Sequence, residues 1–175
     1  MDDINKLIND SASSDRKAQE RLFQLHYEFA MRLALRFARD EQDAADIASR
    51  AFYKMFKSLH TFNPVKGSFK GWFKKIVINE GIDHLKGRKK QGFGQLSDGI
   101  VAESKAFFVD DKFELNNVMQ EIRRLPISTY TVFILFVVEG YAHHEIASLL
   151  SISEGTSKWH VSEARRILRT KMSAD

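Results

Sequence analysis

Apolar residues recur at helical spacing through the first half of the chain, and no stretch alternates convincingly as a strand would. This periodicity predicts a long helix over about 15–39, a second helix over 43–59 and a third over 69–85. The loop 63–68 separates the last two helices, because its proline and its glycine both oppose continuation of a helix. The N-terminal half is therefore predicted to be a helical domain.

The periodicity fails from about 87 to 111, where glycines and polar residues predict a flexible linker. Helical spacing resumes at Phe113, is interrupted at Leu125-Pro126 and returns over 128–139. We therefore predict an all-α protein with two small helical domains on a flexible linker. The predicted ranges are 1–88 for the N-terminal domain, 89–111 for the linker and 112–175 for the C-terminal domain.

The end of the chain has the pattern of a helix-turn-helix. A short amphipathic helix around 146–150 precedes a tight turn, and Ser153 is placed to cap a longer final helix. The second helix of such a pair enters the major groove of DNA, although helical hairpins that bind no DNA share the pattern. With Val161 in the buried stripe, a projection at about 100° per residue places Trp159, Ser162, Glu163 and Arg166 outward and Lys158 at the border.

Basic charge is concentrated in two segments. The chain has 27 Lys and Arg residues against 23 Asp and Glu residues. Residues 61–90 contain eight bases against two acids, residues 151–175 contain five against three, and the segment between them is acidic. Two basic segments of this kind are typical of two contacts on a polyanion, with a solvated lysine-rich face as the alternative.

Aromatic rings alternate with lysines in the first basic segment. This mixture suits single-stranded nucleic acid, because rings stack on bases while lysines follow the phosphates. Rings at helical spacing are more often core residues, and we expect Phe73 and Ile76 to be buried. The rings are Phe62, Phe69, Trp72 and Phe73, and the lysines between and beside them are Lys66, Lys70, Lys74 and Lys75.

One stripe of the third predicted helix changes from apolar to polar along its length. Trp72 and Ile76 begin the stripe, and Asn79 and Asp83 continue it. Two interpretations are open from the residues alone. The two polar side chains are either a buried hydrogen-bonded pair or a place where a ligand docks.

The composition excludes several classes of protein. The absence of cysteine excludes disulfides, cysteine-based zinc sites and cysteine nucleophiles, and it suits a reducing compartment. The acidic first residues lack the positive charge of a signal peptide, and the longest apolar stretch, 132–138, is far too short to cross a membrane. We therefore expect a soluble cytoplasmic protein without membrane insertion.

Enzymatic chemistry has little support in the sequence. The cluster His143-His144-Glu145 lacks the second histidine of an H-E-x-x-H zinc site, so a structural role at a helix start is favoured. No glycine-rich phosphate loop and no Gly-x-Ser-x-Gly elbow is present. We expect no catalytic residues, no metal and no cofactor. A metal-dependent hydrolase built on the histidines is the least favoured alternative.

Two pairs of sequence runs resemble the domains of one family. The runs 43–56 and 69–83 resemble the N-terminal domain of bacterial sigma factors, and the runs 133–147 and 153–158 resemble their C-terminal helix-turn-helix domain. With only these two domains and a linker, the chain is similar to the extracytoplasmic-function (ECF) group of the sigma-70 family. The resemblance implies a transcription initiation factor that joins RNA polymerase core, recognises a two-part promoter and helps to open it.

The resemblance also implies contacts with the polymerase. The helix 43–59 matches the segment that docks on the clamp helices of the largest subunit, and the C-terminal domain is expected at the flap of the second largest. An anti-sigma factor is the further partner that the family implies. The residues implied at the polymerase core are Asp43, Asp46, Ser49, Arg50, Tyr53, Lys54 and Lys57.

Two promoter-binding sets follow from the same resemblance. The loop 61–69 matches the loop that holds a base flipped from the −10 element, and the final helix matches the reader of the −35 element. The −10 set is Phe62, Asn63, Lys66, Ser68, Phe69, Lys70, Trp72, Lys74, Asn79, Asp83 and Arg88. The −35 set is Thr156, Ser157, Lys158, Trp159, Ser162, Glu163 and Arg166.

Some positions depart from the family pattern. Ser49 and Arg50 replace a glutamine and an acidic residue that are common in the polymerase-binding helix. Ala142 stands where a capping residue is usual, so we expect His143 or a shifted helix start to supply the cap. Glu163 replaces a frequent basic residue and is suited to accept a hydrogen bond from a cytosine. A helix-turn-helix repressor or activator that acts on closed duplex is the alternative function.

Overall fold

The computed structural model describes residues 2–90 and 119–172, with residues 2, 3 and 88–90 described in their backbone only. Every regular element among these residues is helical, which confirms the predicted all-α class. The chain divides into two compact units near Lys86. The first unit contains α1 (Asp2–Ala12), α2 (Arg16–Ala34), α3 (Glu41–Ser58) and α4 (Phe69–Lys90), with single 3₁₀ turns at Leu59–Thr61 and Pro64–Lys66.

One helix and two helix ends in the first unit differ from those predicted. Helix α1 was not predicted, because its sequence is rich in Asn and Asp, yet Ile8 and Ser11 are buried and the helix packs against α2. Helix α2 ends at Ala34 rather than near 39, since the next residues close a tight turn that inserts Phe37 into the core. Helix α4 continues to Lys90, and the predicted linker beyond it lies outside the described residues.

Phe73 on α4 is the central ring of the first unit. It is fully buried, as predicted, and its ring centroid lies 5.0 Å from that of Phe52 on α3 and 6.4 Å from that of Phe29 on α2. Such tilted ring pairs contribute beyond simple burial of apolar area. Ile76 is only half-buried, contrary to the prediction, because the buried stripe of α4 passes through Val77 instead.

Gly81 allows α4 to approach the turn that follows α2. A Cβ atom at this position would lie 2.5 Å from two ring atoms of Phe37 and 2.8 Å from its Cβ. Real Cβ atoms do not approach so closely, so any larger residue at 81 must push the helix and the turn apart. The absence of a side chain is therefore what sets this helix spacing.

The second unit contains a helical segment at 119–123 followed by α5 (Ile127–Phe133), α6 (His143–Leu150) and α7 (Glu154–Met172). The predicted helix over 128–139 is present, but its last part, Ile134–Val138, widens into a π-helical turn. Helices α5 and α7 enclose a small apolar core with the segment before α5. The core residues are Ile122, Leu125, Tyr130, Phe133, Ile134, Ala164 and Leu168.

The turn between α6 and α7 has the predicted helix-turn-helix chemistry. Ser151 has a left-handed backbone with φ of 57°, and the N–H of Ile152 donates to the carbonyl of Ala147 at 3.1 Å. Ser153 Oγ accepts from the backbone N–H of Thr156 at 2.9 Å, which confirms the predicted cap of α7.

The expectation for the cap of α6 is wrong. The helix starts at His143 with Ala142 as its N-cap residue, so its start is not shifted, and no side chain at 142 can accept a hydrogen bond. Instead the carboxylate of Glu145 accepts from the backbone N–H of Ala142 at 2.8 Å. His143 is not a cap either, because its Nδ1 is paired with the Oγ of Ser157 at 2.9 Å.

We predict that Gly81→Ala lowers the free energy of unfolding by about 1–3 kcal/mol, the usual cost of overpacking a tight interior contact. Gly87→Ala is the matched control, because it lies on the same helix with no atom within 4 Å of the added methyl group. The control is expected to gain up to about 1 kcal/mol from its helix propensity. Urea unfolding followed by circular dichroism measures both, and equal stability of the two variants would contradict the account.

Candidate functional site

The outer face of α3 presents a stripe of exposed side chains. Asp46, Ser49, Tyr53 and Lys57 recur three or four residues apart, and all four are exposed. The opposite face of the helix is buried in the core of the unit. Tyr53 is 68% exposed, which is unusual for so large a ring. This stripe is a candidate contact surface, and its four residues belong to the set that the family resemblance implies at the polymerase core.

Arg50 and Lys54, also predicted as polymerase contacts, turn toward α4. Lys54 forms an ion pair with Glu80, and Arg50 Nε lies 3.5 Å from Glu80 Oε2. Glu80 is only 3% exposed, and the two cations are the ion-pair partners of its buried carboxylate. The hydrogen bond to Glu80 raises the pKa of Lys54. The sequence analysis did not single out Glu80. The one feature that could have indicated its role is that an acidic residue stands at a position of α4 that is otherwise apolar.

Asp43 is buried, so the structure does not place it on the exposed polymerase-contact stripe. Its Oδ2 accepts from Arg39 Nε at 2.7 Å and lies 3.4 Å from His84 Nε2 on α4. The hydrogen bond from Arg39 lowers the pKa of Asp43 to about 2. The cap of α3 comes from the neighbouring Asp40, whose Oδ1 accepts from the N–H of Asp43 at 2.8 Å. Asp43 therefore joins α3 to α4 and to the preceding turn.

The loop before α4 exposes most of its predicted nucleic-acid residues. Asn63, Lys66, Ser68 and Lys70 are all exposed. Asn63 Oδ1 accepts from the N–H of Val65 at 2.9 Å, and Ser68 Oγ accepts from the N–H of Gly71 at 3.1 Å. These two bonds fix the loop backbone through side chains that were predicted as contacts. Lys70 also lies over the Phe29 ring, with its Nζ 4.8 Å from the centroid.

The aromatic rings of this region pack together and differ in how deeply they are buried, so they do not all face solvent. Phe69 is 6% exposed and packs against Phe73, so its predicted role as a surface contact is wrong in this structure. Phe62 and Trp72 remain half-buried, with ring centroids 5.6 Å apart, and each lies within 5.6 Å of Phe69. Phe69 thus supports the two rings that keep an accessible edge.

The polar end of the α4 stripe is exposed. Asn79 and Asp83 both face away from the core, so the interpretation as a buried hydrogen-bonded pair is wrong. Lys74 is half-buried, and burial lowers its pKa. The side chain of Arg88 lies outside the described residues. Asn79 and Asp83 therefore stay in the candidate −10 set, on the exposed face of α4.

The outward face of α7 carries most of the predicted −35 set. Thr156, Lys158 and Ser162 are exposed, and Trp159 has 52% of its surface accessible. Ser157 is the exception, because it is fully buried and bonded to His143 on α6. Its predicted DNA contact is wrong in this structure, and its hydroxyl instead joins the two helices of the helix-turn-helix.

Glu163 and Arg166, both predicted as DNA contacts, bind each other. Arg166 Nε donates to Glu163 Oε2 at 2.8 Å, and Arg166 Nη2 donates to Oε1 at 2.7 Å. This pairing lowers the pKa of Glu163 and raises that of Arg166. Glu163 is less exposed than the arginine that it holds.

Residues 2–90 and 119–172 contain no group of three or more His, Asp or Glu side chains able to hold a metal ion. His143, from the cluster that was weighed as a metal site, is engaged with Ser157 at 2.9 Å and stacked on Phe136 at 4.3 Å between centroids. In the described part of the chain, none of the helices has the combined length and apolar character that a membrane crossing requires.

A basic aromatic surface on one helical unit and a helix-turn-helix in the other define a two-part nucleic-acid-binding protein. The sequence matches Sigma-70 region 2 over residues 22–91 and Sigma-70, region 4 over residues 115–168. The chain belongs to the sigma-70 family of RNA polymerase sigma factors, in its ECF group. Sigma factors are transcription initiation factors rather than enzymes, and the closed-duplex regulator is not favoured.

Similar proteins agree with this assignment over nearly the whole chain. RNA polymerase sigma-H factor of Pseudomonas aeruginosa is 26% identical, with 93% of this chain and 90% of that protein covered. ECF RNA polymerase sigma factor SigW of Bacillus subtilis is 25% identical, with 97% and 96% covered.

Solved structures share the fold. Sigma factor RpoE of Bartonella quintana, solved with the anti-sigma factor NepR, matches with a TM-score of 0.60 at 22% identity, covering 89% of this chain and 97% of that one. CnrH, solved with the cytosolic domain of CnrY, matches with a TM-score of 0.52 at 22% identity, covering 97% and 96%.

We predict that Asp43→Asn lowers the free energy of unfolding by about 2 kcal/mol at pH 7. This figure follows from the fall of the Asp43 pKa from its ordinary value of 3.8 to about 2 in the folded protein. Because the pKa of Asp43 is lowered on folding, its contribution is fully present above about pH 4 and is lost as the pH falls toward 2. Asp46→Asn, exposed on the same helix, is the matched control.

Urea unfolding at pH 7, 4, 3 and 2 tests this prediction. The stability difference between parent and Asp43→Asn should shrink as the pH falls, whereas the Asp46→Asn protein should follow the parent throughout. A difference between parent and Asp43→Asn that does not change between pH 7 and pH 2 would show that the carboxylate contributes nothing through its charge.

Proposed function

We propose that this sigma factor holds RNA polymerase core through the exposed stripe of α3 and reads its promoter through two separate surfaces. The −10 element is assigned to the loop 61–69 together with the outer face of α4. The −35 element is assigned to the outer face of α7. The observation that carries the proposal is that the exposed polar and aromatic residues of these three surfaces coincide with most of the positions implied by the family resemblance. The domain ranges 1–88 and 112–175, with 89–111 as the linker, belong to this proposal.

The polymerase surface is assigned to Asp46, Ser49, Tyr53 and Lys57. Their side chains point into solvent, and a large exposed ring at the middle of a polar stripe is a typical anchor at a protein interface. The clamp helices of the largest subunit are the proposed partner. Arg50 and Lys54 are assigned a supporting role here, because their charges are already engaged by α4.

The −10 surface combines cations with rings that keep an accessible edge. Lys66 and Lys70 can follow the phosphates of an unpaired strand, while Phe62 and Trp72 offer ring edges to a base. Asn79 can donate to and accept from a base edge. This division assigns affinity to the lysines and base preference to the asparagine.

Two further partners belong to the proposal. The C-terminal domain is assigned to the flap of the second largest polymerase subunit. An anti-sigma factor is proposed because the matched Bartonella quintana structure is a complex with one. The proposed location is the cytoplasm, where polymerase and promoter DNA are found.

We predict that Asp46→Lys and Tyr53→Ala each weaken binding to core polymerase by about ten-fold or more, the range of interface anchors. Both residues are exposed, so helicity and unfolding midpoint should stay at parent values. Lys6→Glu, an exposed charge reversal on α1, is the control and should bind as the parent does. Titration of labelled protein with core measures all four. If both stripe variants bind core with the affinity of the parent, the exposed stripe of α3 is not the polymerase contact.

We predict that Asn79→Ala and Asn79→Asp change which −10 base the holoenzyme prefers, while Lys66→Ala weakens binding to every sequence alike. Loss of one phosphate contact should reduce the slope of log affinity against log salt by about 0.9 on duplex and about 0.7 on a single strand. Flipping a base costs a few kcal/mol in intact duplex, so parent holoenzyme should bind a pre-melted −10 template more tightly.

Binding of holoenzyme to matched duplex and pre-melted promoters, with each −10 base varied, distinguishes these roles. Thr61→Ala, an exposed uncharged change at the start of the same loop, is the control and should keep the parent salt slope. Equal affinity of the parent for both templates, together with an unaltered base preference in Asn79→Ala, would contradict the assignment of the −10 surface.

A further inference from the structure

The ion pair between Glu163 and Arg166 occupies one particular edge of the guanidinium group. The carboxylate engages Nε and Nη2, which form the side edge of the group, through bonds of 2.8 and 2.7 Å. Arginine has five N–H donors in a rigid planar fork. The end edge, formed by Nη1 and the outer hydrogen of Nη2, is not used by Glu163. A planar pair of donors with fixed orientation therefore remains beyond the ion pair.

The position of Arg166 on α7 places its side chain on the outward face of the helix. Arg166 lies seven residues after Trp159 and four after Ser162, so all three share one face of the helix. Long helical side chains lean toward the N-terminus, and Glu163 lies three residues N-terminal to Arg166. The ion pair thus draws the guanidinium back toward the turns that enter the groove first. Arg166 is nevertheless well exposed, with 68% of its side chain accessible.

We propose that Glu163 is a positioning residue that orients Arg166 to read a guanine of the −35 element. The inference rests on the proposed function of α7 and names the base and the residue that reads it. The O6 and N7 acceptors of guanine match two parallel N–H donors, and this is the commonest base-specific contact of arginine. An arginine held by a carboxylate loses less side-chain freedom on binding than a free one.

The same geometry argues against a direct contact between Glu163 and a cytosine base. Both carboxylate oxygens already accept from Arg166, and Glu163 is the less exposed partner. A phosphate contact would need only the charge of residue 166, whereas guanine recognition needs its planar fork. The two possibilities therefore predict different outcomes when arginine is replaced by lysine.

The test uses holoenzyme assembled with full-length protein and a promoter panel in which each −35 base pair is varied. The variants are Arg166→Ala, Arg166→Lys, Glu163→Ala, Glu163→Gln and the double alanine variant. Arg169→Ala, which removes an exposed arginine one turn further along α7, is the matched control for loss of charge. Binding at two salt concentrations separates base preference from general phosphate attraction.

The expected result is that Arg166→Ala and Arg166→Lys both lose about ten-fold or more of the preference for guanine at one −35 position. Glu163→Ala should lose part of that preference at the same position, and Glu163→Gln should retain more of it. The double variant should be no worse than Arg166→Ala alone, because Glu163 acts through the arginine. Arg169→Ala should leave every base preference unchanged.

Two outcomes would overturn the inference. If Arg166→Lys keeps the parent preferences and Arg166→Ala weakens all sequences equally, Arg166 is a phosphate contact. If Glu163→Ala alone alters a cytosine preference that Arg166→Ala leaves intact, Glu163 reads the base directly. A parent holoenzyme that ignores every −35 substitution would instead count against the proposed function of α7, so the two failures are distinguishable.

Discussion

The packing of α4 around Phe73 is the constraint on which the N-terminal unit depends. Burial of this ring against α2 and α3 fixes the rotation of α4, and Gly81 lets the helix lie directly against Phe37. Once that rotation is fixed, Asn79 and Asp83 must face outward. The same packing supports Phe69, on which Phe62 and Trp72 rest. A candidate base-binding surface is therefore the outer side of the helix whose inner side holds Phe73.

Charges reinforce this apolar contact along the seam between α3 and α4. Glu80 is buried on the inner side of α4 and is held by Arg50 and Lys54. Asp43 at the start of α3 lies beside His84 near the end of α4. Desolvation offsets much of the attraction in such a buried pair, but removal of one partner is costly because the other charge is left buried and unpaired. The helix proposed to hold polymerase and the helix proposed to meet the −10 element are thus joined by direct contacts.

The sequence predicted the fold class, the principal helices and the helix-turn-helix, because these depend on local periodicity and on turn residues such as Ser153. The sequence did not predict burial that depends on contacts between elements distant in the chain. Phe69 and Ser157 belong to sets of otherwise accessible residues, yet each is covered by a neighbouring element that no local pattern reveals. Asp43 was placed correctly near a helix start, but its pairing with Arg39 and His84 needs the turn before α3 and the end of α4. Helix α1 was missed because its many Asn and Asp residues obscured the helical spacing of Ile4, Leu7 and Ile8.

The most direct test of the central claim is promoter-specific initiation by purified core polymerase with and without this protein. Transcripts from a pool of random promoter sequences would be sequenced to map their start sites. We expect the protein to form a stoichiometric complex with core and to add start sites that share both a −10 and a −35 element. Tight, sequence-specific binding of closed duplex by the free protein, with no new start sites in the presence of core, would contradict it.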